Sequence, residues 1–334
     1  MKWSVLLRLG RVSNLPTVWS NVLAGAIIAS GAMPHAVPWL PLLVLMLALS
    51  ALYCAGMVLN DAFDREIDAR ERPNRPIPSG QISARAVFGL GYGLLLAGIV
   101  LLAWFGLNAL LFGMALATSI LLYNLRHKGN PVSPVVMGVC RALVYCVAAS
   151  AAMSVLDQPL PPMLLLLPAL ALWAHVVGLT YAAKQENLNQ LGSVWPLLVL
   201  ALPFGLLLAQ ALLPQSLQSQ LSPHLSPHWS SATAANFPAP FSVSGSHPPS
   251  AWWYQPWPWL ALLALLLADV WAVRILLARA TPRAVPMAVA QMIAAISLLD
   301  ALVIALAGGP WLACVFCLLA YGLTRVMQRF IPGT

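Results

Sequence analysis

The sequence predicts an all-α, polytopic integral membrane bundle, and three observations carry that prediction. Of 334 residues, 60% are hydrophobic and 8% are charged, a balance far outside that of soluble globular domains. Ten apolar runs recur from end to end, most of them near or above the roughly 20 residues that cross a bilayer as a helix. When those runs are threaded back and forth, all 17 Lys and Arg residues fall on one side. Nothing between the runs reads as a separate soluble unit, so residues 1–334 are expected to form one transmembrane domain of nine or ten helices.

In chain order, the N-terminus MKWSVLLRLGRVSNLP is basic but leads into its apolar run without a small-residue cleavage site, which predicts a retained first helix. The runs predict spans near residues 14–32, 38–59, 86–103, 107–123, 135–156, 163–182, 193–213, 258–278, 285–307 and 311–324, the last of them short. With the N-terminus in the cytoplasm, Lys2, Arg8 and Arg11 are inside, followed by Arg65 to Arg85, then Arg126, Lys128 and Arg141, Lys184, the group Arg274, Arg279 and Arg283, and finally Arg325 and Arg329. The opposite loops carry no base, and their only acid is Asp157, so the positive-inside rule orients the chain. The localisation expected is the inner membrane of a bacterium, with the polar loops facing the cytoplasm.

The long external loop at about 214–257 is rich in Ser, Pro, His, Gln and Trp, has no charged residue and predicts an irregular excursion. Trp252, Trp253, Trp257 and Trp259 mark its return to the membrane as an aromatic belt. The three histidines His224, His228 and His247 have low-complexity spacing that gives little support to a metal site. Five cysteines, all within apolar segments, argue against a disulfide framework, and the lone Cys314-x-x-Cys317 reads as helix packing. The net charge of +8 comes from bases scattered among apolar segments, not from one patch interleaved with aromatics, which argues against nucleic acid as a partner.

The chemistry concentrates in Asn60 to Gly80, NDAFDREIDARERPNRPIPSG, which holds five of the nine carboxylates. Asn60, Asp64 and Asp68 are spaced i, i+4, i+8, and Asp61, Asp64 and Asp68 i, i+3, i+7, so on a helix each set points to one side. An all-oxygen face suits Mg²⁺, which is usually held by one or two carboxylates together with waters and substrate phosphates. A phosphate-bearing substrate is therefore implied. The plainer alternative is a set of ion pairs with Arg65, Arg70, Arg72 and Arg75; like-charged carboxylates on one face repel unless some cation joins them. Asp269 and Asp300 fall inside predicted spans and are costly there unless paired or wet; Arg274 is a possible neighbour of Asp269, and both a structural pair and a relay are open.

N-D-x-x-D-x-x-x-D followed by R-P-x-R-P-I-P-S-G resembles the first aspartate-rich motif of the UbiA superfamily of membrane prenyltransferases, and the likeness extends to Arg11 and Asn14 and to LLYNLRHKGNPVSPVVMGVCR. The resemblance implies a central cavity near the cytoplasmic side, Mg²⁺ on Asn60, Asp61, Asp64 and Asp68, and an isoprenoid diphosphate whose tail runs among the helices. It also implies that Tyr123 lines the pocket near the reacting carbon, that Arg72, Arg75 and Lys128 help hold phosphate, and that Arg11 and Asn14 contact substrate. The second motif departs from the family pattern: GLTYAAKQENLNQLGS, aligned on Tyr181, puts Gly178, Gln185 and Asn189 where aspartates would stand, with Lys184 and Glu186 nearby. Neutral amides do not offset the charge of a second Mg²⁺, so that ion should bind more weakly or be absent. This form resembles the UbiA-like protein EboC, a divergent branch associated with export of secondary metabolites. Two functions follow as expectations: Mg²⁺-dependent transfer of an isoprenoid group to an aromatic or other lipophilic acceptor, or binding of an isoprenoid- or lipid-like molecule in support of metabolite export, without turnover.

Overall fold

The computed structural model describes residues 3–30, 38–127, 129–160, 162–184, 195–212, 255–278 and 284–333. Among them every regular element is helical. A short amphipathic helix α1 (Trp3–Leu9) and a 3₁₀ turn (Val12–Asn14) precede α2 (Leu15–Ala29), α3 (Trp39–Phe63), the short α4 (Arg65–Glu71), α5 (Ala84–Ala103), α6 (Leu107–Arg126), α7 (Ser133–Val155), α8 (Pro162–Lys184), α9 (Trp195–Leu212), α10 (Pro256–Ala278), α11 (Ala284–Leu306) and α12 (Trp311–Met327). Each of the ten expected spans corresponds to one helix, including the short last one. Among the described residues eight stretches are long and apolar enough to cross a bilayer, and α9 and α12 are shorter apolar helices. The chain is an integral membrane protein. Most of the external loop, with Trp252, Trp253 and its histidines, lies outside the described residues.

Sequence neighbours pack as antiparallel pairs: α6 on α7, α7 on α8, α8 on α9 and α10 on α11. The innermost helices are α2 and α11, which bury nearly every residue, whereas α5 and α10 leave most of theirs only partly buried or exposed. Glycine permits a close approach between α3 and α5. A Cβ at Gly91 would lie 2.6 Å from Leu59 Cγ, and one at Gly98 would lie 2.7 Å from Leu52 Cγ and 3.0 Å from the Ala48 carbonyl oxygen. Gly106, at φ +90°, makes the reversal from α5 to α6 that an L side chain would strain.

The threading brings the polar ends together. Arg11 meets Asp61, His127 meets Asp64, Tyr181 meets Pro131, and Gly333 meets Asn14, so the α3–α5 and α6–α7 connections, the end of α8 and the chain after α12 share one end of the bundle. At another point Trp257 stacks on Trp311, at the starts of α10 and α12, 5.9 Å apart. Trp259 and Trp311 are exposed beside it, as an interfacial aromatic belt requires.

Candidate functional site

Although α3 ends at Phe63, i→i−4 bonding continues through the junction: Asp64 N–H donates to Asn60 O at 2.9 Å and Asp68 N–H to Asp64 O at 2.8 Å. Asn60, Asp64 and Asp68 therefore keep one face across the break. All three are buried and line a cavity of about 270 Å³ whose other walls include Arg11, Arg72, Arg75, Tyr123, His127 and Arg141. Asp61, one step further round the helix, faces an adjoining cavity with Arg8, Arg11, Glu71, Arg72 and Arg75.

Arg75 joins the acids. One terminal nitrogen, Nη1, donates to Asp61 Oδ1 at 2.9 Å and to Asp68 Oδ2 at 3.0 Å, while Arg11 Nη2 lies 3.7 Å from Asp61 Oδ1. The ion pairs weighed for this stretch are thus partly present, with Arg75 as the bridging cation; Arg65 instead meets Glu66. Arg11 reaches Asp61 from a left-handed backbone, φ +43° and ψ +48°, a conformation costing an ordinary residue roughly 1–2 kcal/mol. His127 Nε2 is 3.1 Å from Asp64 Oδ2, and its ring stacks on Tyr123 with centroids 4.9 Å apart. Asn60 Nδ2 donates to Asn124 Oδ1 at 3.3 Å, and Asn124 in turn donates to the Gly56 carbonyl, so the carbonyl oxygen of Asn60 is the atom suited to a hard cation.

This donor set fits Mg²⁺. Arg75 engages one oxygen each of Asp61 and Asp68, and Asn60, Asp64 and Asp68 present oxygen chemistry to a shared cavity. Among the described residues no three of His, Cys, Asp and Glu form a ready metal cage. Beyond the polar chamber lies a small apolar pocket of about 70 Å³ among α2, α3, α6 and α7, and the two share Tyr53, Met57, Tyr123, Met137 and Arg141.

Residues 18–192 match the model of the UbiA prenyltransferase family, over half of the chain. The chain belongs to the UbiA prenyltransferase family. Among curated relatives, the digeranylgeranylglyceryl phosphate synthase of Methanothrix thermoacetophila is 35% identical over 128 residues, covering 38% of this chain and 47% of the relative. That of Sulfurisphaera tokodaii is 36% identical over 123 residues, covering 37% and 42%. The chain thus spans under half the length of these relatives. Their organisms lend no support to a bacterial inner membrane. A solved structure described as giving insights into the biosynthesis of digeranylgeranylglyceryl phosphate synthase in membranes superposes with a TM-score of 0.54 at 19% identity, covering 91% of this chain and 97% of the other. A UbiA homolog from Aeropyrum pernix K1 superposes with a TM-score of 0.52 at 19% identity, covering 88% and 96%. These two likenesses concern the fold.

Asn60, Asp64 and Asp68 of the first motif share the cavity wall, and of the second motif the structure describes only the part up to Lys184. Val176, Leu179, Thr180 and Ala183 of α8 line the cavity, and none is acidic. Tyr181 and Lys184 lie off that wall: the Tyr181 hydroxyl donates to the Pro131 carbonyl at 2.6 Å and Lys184 Nζ to the Asn130 carbonyl, bracing α8 against the α6–α7 turn. Gly178 faces α9, where a Cβ would sit 3.0 Å from Leu200 N and Pro196 O, so a side chain there would need the α9 backbone to give way. Gln185, Glu186, Asn189 and Lys128 lie outside the described residues. Asn14 lines the cavity, but its amide nitrogen donates to the Tyr53 hydroxyl at 3.1 Å and the Gly333 carbonyl at 2.9 Å, while its oxygen accepts from Gln328. Asp269 meets His175, Nδ1 to Oδ2 3.8 Å, rather than Arg274; Asp300 accepts from Asn21 and Tyr145. His127 and Arg141 are the basic side chains on the cavity wall that sequence alone did not single out as site residues. A histidine one turn after Tyr123 and a base inside an apolar span were the available signals.

Proposed function

We propose that this UbiA-family chain is a membrane prenyltransferase that takes an allylic isoprenoid diphosphate, with Mg²⁺, and transfers the isoprenoid group to a lipophilic acceptor, its polar chamber open towards the cytoplasm. One observation carries the reading: the oxygen face of Asn60, Asp64 and Asp68 shares a chamber with Arg11, Arg72 and Arg75, and that chamber continues into an apolar pocket. The name of the curated relatives, digeranylgeranylglyceryl phosphate synthase, agrees with a reaction on isoprenoid lipids.

When bound by Asn60, Asp64 and Asp68, Mg²⁺ supplies neutralising charge for the departing diphosphate. Arg72 and Arg11 add fixed positive charge to the same chamber, where low dielectric strengthens their effect. Cleavage of the allylic carbon–oxygen bond sends the electron pair to the diphosphate and leaves an allylic cation. The acceptor's electron pair forms the new bond to that carbon and the acceptor gives up a proton. Tyr123, stacked on His127 at the junction of chamber and pocket, presents an aromatic face there and helps keep water from the cation.

Among the described residues the α8 wall carries no acid, which favours a second reading, an EboC-like binder that holds an isoprenoid or lipid without turnover. Release of diphosphate from a radiolabelled allylic donor by the purified protein, with and without Mg²⁺, separates the two. Donor binding without release across a panel of aromatic and lipid acceptors would favour the binder.

A further inference from the structure

A buried pair stands apart from the chamber. His175, midway along α8, has no exposed surface, and Asp269, midway along α10, is 5% exposed. The histidine Nδ1 lies 3.8 Å from Asp269 Oδ2, inside ion-pair reach and beyond hydrogen-bond reach. Among the described residues Nδ1 and both Asp269 oxygens have no hydrogen-bond partner. The other ring nitrogen, Nε2, is 3.0 Å from the Met292 carbonyl oxygen of α11. A carbonyl oxygen only accepts, so Nε2 carries a hydrogen and donates it, and Nδ1 alone decides the charge of the ring.

That tautomer fixes the proton count. With Nδ1 bare and Asp269 ionised, a lone pair would face a carboxylate inside the bilayer with no donor and no countercharge, which is the most costly state open to these groups. With Nδ1 protonated the pair is imidazolium against carboxylate; with the carboxyl protonated it is neutral. Each of these two states holds one proton beyond that on Nε2. No other group takes over the role, since among the described residues His175 is the only charge that acts on Asp269. Arg274, five residues on along α10, is exposed, and α9 contains no titratable side chain. Tyr181 and Lys184 of α8 turn to the Pro131 and Asn130 carbonyls. Asp300 of α11 is engaged by Asn21 and by Tyr145 of α7, Arg141 of α7 donates to Asn21 and Thr17, and Tyr321 of α12 accepts from Gln291.

We propose that His175 and Asp269 form a proton-binding site inside the membrane, which takes one proton from water as the chain folds and uses it to fasten α10 to the back of the chamber wall. His175 and Met292 each directly precede a residue that lines the chamber, Val176 on α8 and Ile293 on α11. The bond between them joins two walls of the chamber from behind, and the shared proton adds α10 as a third member. Return of that proton to water leaves a bare Nδ1 against a carboxylate and drives α10 away from α8. The site stands whether or not the chamber turns a substrate over.

The test is the pH dependence of unfolding of the purified full chain in mixed micelles, titrated with dodecyl sulfate and followed by tryptophan fluorescence, for wild type and Asp269→Asn. The asparagine amide can donate to Nδ1 without a proton from water. In the unfolded chain histidine titrates near about 6.5 and aspartate near about 3.9. Above about pH 5 the unfolded Asp269 is therefore ionised, and the unfolded His175 contributes equally to both proteins, so the folded wild type holds one proton that nothing in the variant matches. A proton bound only on folding stabilises most at low pH and is lost as pH rises. The ratio of unfolding constants, wild type over Asp269→Asn, should accordingly rise about tenfold per pH unit, or about a hundredfold from about pH 5.5 to about pH 7.5. Asp269→Leu should give the same slope and supplies the readout if the asparagine variant does not fold. A ratio that stays constant across this range would overturn the site, because the folded pair would then hold no proton that the variants lack.

Discussion

Arg75→Gln isolates the interaction that holds the acidic face together. Removing the guanidinium deletes two charge-assisted bonds, at 2.9 and 3.0 Å, and leaves buried Asp61 and Asp68 to repel one another. Hydrogen bonds to charged groups contribute about 1.5–3 kcal/mol each. With the Arg75 side chain 18% exposed, solvent screens part of this, so a combined loss of about 2–4 kcal/mol is expected. The loss should be cation-sensitive, since Mg²⁺ can take over the joining of the carboxylates: at ten times its dissociation constant, a ligand specific to the folded state returns about 1.4 kcal/mol. Thermal unfolding of the detergent-solubilised protein, followed by tryptophan fluorescence in EDTA and then in Mg²⁺, reads both effects. The variant should unfold several degrees below wild type in EDTA and recover part of the gap in Mg²⁺, whereas Mg²⁺ moves the wild type less. A variant as stable as wild type in EDTA would show that Arg75 does not hold these acids. A deficit untouched by Mg²⁺ would refute the metal-binding role of the face.

Replacing Gly98 by Leu places a Cβ 2.7 Å from Leu52 and forces α3 and α5 apart; overpacking of this kind costs about 1–3 kcal/mol, and a lowered unfolding temperature with unchanged donor affinity at the permissive temperature is the expected result. His127→Ala removes both the Asp64 contact and the Tyr123 stack and should weaken binding of a labelled allylic diphosphate about tenfold, whereas His127→Phe, which keeps only the stack, should recover part of it. Reporters should read cytoplasmic after Lys184 and external near Ser230, since every base segregates to one side; opposite signals would turn the chamber to the other face of the membrane.

The helices were legible because apolar run length is a direct imprint of the bilayer. The short α12 was legible too, because Arg325 and Arg329 need a crossing before them. The first motif was legible because Asn60, Asp64 and Asp68, at helical spacing, share a face, and the backbone bonding that carries on past Asp64 preserves it where α3 gives way to α4. What joins those acids was not: Arg75 lies in a loop, and only tertiary folding brings it between Asp61 and Asp68. The direction of Tyr181 and Lys184 was equally hidden. Their register depends on the packing of Gly178 against α9, which no local pattern encodes. His127 and Arg141 went unselected because each gains its meaning from another helix, Asp64 for one and Asn21 and Thr17 for the other.

Mg²⁺-dependent diphosphate release from a radiolabelled allylic donor, compared between wild type and Asp64→Ala, tests the central assignment most directly. Asp64 is buried in the middle of the oxygen face and, on the proposed reading, would supply a charged ligand that alanine cannot replace. The account predicts that wild type binds the donor only with Mg²⁺ and releases diphosphate when a suitable lipophilic acceptor is present, and that Asp64→Ala loses both. Undiminished Mg²⁺-dependent binding by Asp64→Ala would contradict it, because the diphosphate would then rest somewhere other than the face formed by Asn60, Asp64 and Asp68.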